Sequence, residues 1–82
     1  MSWIKIKNTL INLNNVTFIE KRNNKIIISP ILEIIAKNEE IADAIFNLIN
    51  ESVKLSILGY VIDLDKKIKE HYNIDINEAI EL

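Results

Sequence analysis

Apolar and polar positions alternate strictly at the start of the chain, Trp3-Ile4-Lys5-Ile6-Lys7, with Ile4 and Ile6 on one side and Trp3, Lys5 and Lys7 on the other. That period of two predicts a half-buried strand. Asn8-Thr9 reads as a turn, and Leu10-Ile11-Asn12-Leu13 as a short extended piece before the break at Asn14-Asn15. The stretch VTFIEKRNNKIII, residues 16–28, is the centre around which the chain is organised. Two runs rich in β-branched and aromatic residues flank Asn23-Asn24, and Asn tolerates the positive φ that a tight hairpin turn needs. A two-residue turn sets Lys21 opposite Ile26 and Ile19 opposite Ile28 on one side, with Glu20 opposite Ile27 and Phe18 opposite Ser29 on the other. Neither side is cleanly polar. A sheet built on this hairpin therefore needs a cover on each face: a helix of its own chain on one, and on the other a second cover, for which another subunit is a candidate.

Ser29-Pro30 opens two readings. Proline lacks a ladder donor and pushes Ser29 toward extended geometry, so a turn followed by a further strand over 31–36 is the preferred one. The rival makes Ser29 an N-cap and Pro30 the first residue of one helix running to Asn50. The β-branched pair Ile34-Ile35 argues for the strand, as does a better helix start at Asn38, where Glu39 and Glu40 suit the helix dipole. From Asn38 onward Ile41, Ala44, Ile45, Leu48, Ile49 and Ser52 form one stripe, an amphipathic helix able to cover one sheet face. Beyond it, VKLSILGYVIDL alternates as a strand or extended run over 53–62 with a break at Gly59, although Ile57, Val61, Leu64, Ile68 and Tyr72 also fall at helical spacing. A helix is expected to start near Asp63 or Asp65 and to end at Tyr72-Asn73. Asp75-Ile76-Asn77-Glu78 resembles a capping box that opens a last short helix over 76–82. The pattern as a whole predicts an α+β fold: an antiparallel sheet of four or five strands covered by one amphipathic helix, with one or two short C-terminal helices. The 82 residues form one domain, with a β-meander over 3–36, a helix over 38–51 and a C-terminal extension over 53–82.

The succession Trp3-Ile4-Lys5-Ile6, Ile11-Asn12-Leu13-Asn14-Asn15-Val16, Ile19-Glu20-Lys21, Lys25-Ile26-Ile27-Ile28 and then Asn38-Glu39-Glu40-Ile41-Ala42 resembles small uncharacterised bacterial proteins. In those proteins a β-meander precedes one helix, in a reduced pleckstrin-homology-like arrangement. The resemblance covers residues 3–50 and rests on pattern, with no invariant motif. It implies a fold and leaves activity open, since one fold hosts many functions.

Composition narrows the chemistry. The absence of cysteine excludes a disulfide scaffold, a thiolate metal site and a cysteine nucleophile, and fits a reducing, cytoplasmic setting. A single glycine, Gly59, rules out phosphate-cradling glycine loops, which need several. No run approaches the ~20 apolar residues of a membrane span, and the N-terminus lacks the apolar core of a signal peptide. A soluble, unprocessed chain is expected. Heavy use of Ile, Asn and Lys points to an AT-rich bacterial or phage genome. The formal net charge of −2 conceals an asymmetry: residues 1–30 set Lys5, Lys7, Lys21, Arg22 and Lys25 against Glu20 alone, whereas the remainder sets five lysines against eleven acids.

Three kinds of site compete. His71, the only histidine, has Asp63, Asp65, Glu70 and Asp75 near it in sequence, but histidines are common at helix ends simply because they suit the dipole. No catalytic, metal or cofactor residue is assigned. The basic set Lys5, Lys7, Lys21, Arg22 and Lys25, with Trp3 as a stacking surface, could follow a phosphate backbone; lysines at hairpin tips and sheet edges also serve to block aggregation. Apolar residues beyond the needs of so small a core favour association instead, with Trp3, Phe18, Tyr60 and Ile62 as contact anchors. The expected function is a non-enzymatic interaction module that self-associates or binds another protein. The alternative is a nucleic-acid-associated accessory or regulatory protein using the basic hairpin.

Overall fold

The computed structural model describes residues 2–55 and 61–82. Its first strand, β1 (Trp3–Ile6), buries Ile4 and Ile6 completely and pairs antiparallel with β2 (Thr9–Asn12). The turn between them falls at Lys7-Asn8, one residue before the expected Asn8-Thr9. Lys7 adopts φ 51° in this turn, and its N–H donates to the Asp65 carboxylate. A 3₁₀ turn, Leu13–Asn15, capped by the Asn12 side chain, leads into β3 (Phe18–Arg22) and β4 (Lys25–Ser29).

The hairpin has the register that a two-residue turn dictates: Phe18 pairs with Ser29, Ile19 with Ile28, Glu20 with Ile27, Lys21 with Ile26 and Arg22 with Lys25. Asn23 supplies the positive φ, at 53°. Asn24 ties the turn to the next strand, because its backbone carbonyl accepts from Ala36 N–H at 2.8 Å and its side-chain amide donates to the Ala36 carbonyl at 3.0 Å. That next strand, β5 (Leu32–Ala36), comes after the turn at Pro30, in agreement with the preferred reading of the sequence.

Helix α1 (Glu39–Leu55) begins where the cap signal lies, with Asn38 Oδ1 accepting from Ile41 N–H at 2.9 Å. It packs on β3, β4 and β5, so it covers the inner face of the sheet. It also continues past the expected end at 51. Residues 53–55 are helical, which corrects the strand or extended run expected from 53; positions 56–60 of that run lie outside the described residues. The apolar stripe explains the extension, since Ser52, one turn after Leu48 and Ile49, is buried with them.

The C-terminal third completes both sheets. Strand β6 (Val61–Asp63) runs parallel to β1, giving a second sheet in the order β2-β1-β6. Helix α2 (Leu64–Tyr72), N-capped by Asp63 and closed by Asn73 in the left-handed conformation (φ 55°), packs on β1 and α1. Helix α3 (Ile76–Ala79) is a single turn. The expected helix to residue 82 stops there, because Ile80–Glu81 becomes strand β7 and pairs with Ala36 and Ile35 of β5. The fold is therefore α+β, with an antiparallel sheet β3-β4-β5-β7 under α1 as expected, and a three-stranded sheet in addition. The inner faces of both sheets meet α1 and α2 in one core of Ile, Leu and Ala side chains.

Ile26, on the central strand β4, is fully enclosed in that core. Truncation to alanine removes three carbons and leaves a cavity, so Ile26→Ala is expected to lower stability by about 3 kcal/mol in urea denaturation, a large share of what a domain of this size possesses.

Candidate interaction face

The outer face of the four-stranded sheet is set by the side chains that alternate with the core. Reading across the strands from β3 to β7, one row holds Arg22, Lys25, Ile35 and Glu81; the next holds Glu20, Ile27 and Glu33; the third holds Phe18 and Ser29. Phe18 is 48% exposed and Ile35 37%, with Ile27 half-buried between them. Each is the diagonal neighbour of the next on the adjacent strand, within reach of large side chains. The three make an apolar line across the face, bordered by charges.

The basic residues do not converge. Lys21 points to the inner side and meets Asp43 of α1 at 2.9 Å, while Arg22 Nε donates to Glu20 on its own strand at 3.0 Å. Lys5 Nζ donates to Asp65 Oδ2 at 3.0 Å and lies 3.9 Å from Asp63. Lys7 Nζ donates to the Ile80 carbonyl, also at 3.0 Å. Of the five, only Lys25 has no ion-pair or hydrogen-bond partner among the described residues.

Asp65 joins the two ends of the chain. Both of its carboxylate oxygens accept from the Lys7 N–H at 3.0 Å, and one also accepts from Lys5. The left-handed conformation of Lys7 costs a residue with a Cβ about 1 kcal/mol, which the charge-assisted bonds to Asp65 offset. The hydrogen bond to Asp65 raises the Lys5 pKa above its ordinary 10.5; partial burial opposes that, and the charges of Asp65 and Asp63 add to it.

Comparison of the chain with protein-family models, with curated proteins and with solved structures returns no match.

Among the anchors expected from sequence, Phe18 lies on the outer face of the four-stranded sheet. Trp3 is half-buried on the outer side of the other sheet, opposite Asn12 and Val61. They do not form one constellation. Ile62 corrects the expectation: it is 0% exposed, a core residue that no partner can touch, and its neighbour Val61 takes the outward position at 50% exposure. The apolar run Tyr60-Val61-Ile62 gives no alternation from which that parity could be read. Tyr60 lies outside the described residues. Ile27 and Ile35 are not among those anchors; the hairpin register already sets Ile27 on the side of Phe18, whereas Ile35 joins them only through the pairing of β4 with β5. His71 is exposed on the last turn of α2, and no group of three or more His, Cys, Asp or Glu among the described residues is placed to hold a metal.

Because its pKa is raised by folding, Lys5 contributes stability that is complete below pH 10.5 and is lost as pH rises through the higher folded value. The stability difference between the native chain and Lys5→Met is accordingly expected to be constant from neutral pH to about 10 and to shrink above 10.5. Denaturant titrations at stepped pH measure it.

Proposed function

We infer that this chain is a non-enzymatic protein-interaction module whose binding surface is the outer face of the four-stranded sheet. The observation that carries the reading is the apolar line Phe18-Ile27-Ile35, which runs across three strands with no described element over it and charged residues on both sides. Apolar side chains in a continuous line, rimmed by charge, are the usual composition of a surface that meets another protein.

Nucleic-acid binding is the weaker reading. A phosphate backbone needs several free cations in one track, and four of the five basic candidates are held by Asp65, Asp43, Glu20 or a backbone carbonyl. What is left at the hairpin tip is Lys25.

A photo-crosslinking phenylalanine analogue at position 18 is expected to form adducts with a protein, a second copy of the chain included, while the same analogue at position 70 on α2 does not. Equal yields from the two positions overturn the reading. In parallel, labelled single- and double-stranded DNA is expected to show no anisotropy change with the chain at low salt. Binding that falls by several orders of magnitude between low and moderate salt would move the assignment to nucleic acid.

A further inference from the structure

The charges on the outer sheet face fall on opposite sides of its apolar diagonal. Arg22 and Lys25 lie on one side, with Glu20 bonded to Arg22; Glu33 and Glu81 lie on the other. We propose that the partner of this face is a second copy of the same chain, related by a two-fold axis that runs along Phe18-Ile27-Ile35. This rests on the reading of the face as a binding surface and names its occupant.

The register fixes the geometry. Neighbouring strands lie about 4.8 Å apart, and alternate residues of one strand lie about 6.8 Å apart. A half-turn about the diagonal brings each of Phe18, Ile27 and Ile35 over its own counterpart. It also carries Lys25 over Glu33 of the other copy, to within about 3 Å in projection on the same spacings. The two-fold repeats this contact, so two Lys25–Glu33 pairs flank one apolar seam. Other axes in the plane of the face do worse. One along β4 sets Glu20 over Glu33, and one along the opposite diagonal sets Arg22 over itself; both place like charges together.

Self-complementarity of this kind is what an isologous interface requires. Strands of the two copies then cross at roughly 70°, nearer the orthogonal than the aligned class of sheet packing. Three strands of five residues and one of two offer only about 300 Å² of projected face, well short of the ~800 Å² each partner gives to a standard interface. The dimer is correspondingly a weak one that forms at high micromolar concentration and dissociates on dilution.

Sedimentation velocity over a concentration series tests the proposal. The native chain is expected to pass from monomer to dimer as concentration rises. Lys25→Glu and Glu33→Lys each place like charges across the seam and are expected to weaken the dimer by about tenfold. The double variant Lys25→Glu/Glu33→Lys restores the pairing and returns association to within about threefold of native, and an equimolar mixture of the two single variants forms a heterodimer. A native chain that stays monomeric throughout overturns the second copy as occupant and leaves the face to the crosslinking result. A dimer that Ile27→Asp and the milder surface variant Phe18→Thr both leave intact overturns the face itself. A dimer lost in those variants but without charge reciprocity overturns the axis alone. Thermal melts of each variant separate loss of association from loss of fold.

Discussion

A sheet has two faces, and a short chain can close both only if it has an element for each. Here the inward faces of two sheets share α1 and α2 as their cover, and the core that results is almost wholly Ile, Leu and Ala. That arrangement buries Ile4, Ile6, Ile26, Ile28 and Ile34 on strands whose alternate residues must then point outward. On the four-stranded sheet, Phe18, Ile27 and Ile35 are outward residues that polar side chains did not replace. The candidate surface is thus a by-product of pleat and register: the same alternation that makes the core continuous decides which apolar side chains stay in contact with water.

The charge asymmetry of the sequence has a different outcome from the one it invites. A basic first third and an acidic remainder suit pairing between copies, yet Lys5 meets Asp65 and Lys21 meets Asp43 within one chain. Folding brings the halves together and pairs two of the five basic residues of the first part with acids of the remainder. Partly exposed pairs of this kind add little stability each. The Asp65 carboxylate differs because it also accepts the Lys7 amide, and that bond fixes α2 against the turn after β1.

Long-range pairing makes the last twenty residues integral to the domain. Strand β6 lies beside β1, almost sixty residues earlier in the chain, and β7 completes the edge of the sheet beyond β5. Lys37 N–H donates to the Ala79 carbonyl at 2.8 Å, and Lys7 reaches the Ile80 carbonyl, so the terminal strand is bound from two sides. A chain cut after α1 would leave Ile4 without Ile62 beside it and Ala36 without Ile80.

Local chemistry was sufficient to read the hairpin register, because a two-residue turn and a period of two leave one pairing, and sufficient to place the start of α1, because Asn38 caps it through its own side chain. That Phe18 and Ile27 share a side comes from the same periodicity; Ile35 joins them only through the β4–β5 pairing, and the packing of α1 decides that this side faces outward. The run after Val53 misled because β-branched residues favour a strand locally, while the buried stripe of α1 carries the helix on to Leu55. Whether Ile62 or Val61 faced inward, and whether Ile80 ended a helix or began a strand, depended on contacts with Ile4 and Ala36. Those contacts leave no local signal: strand pairing between distant segments is selected by the surface each one finds waiting, and that surface exists only once the rest of the chain has folded.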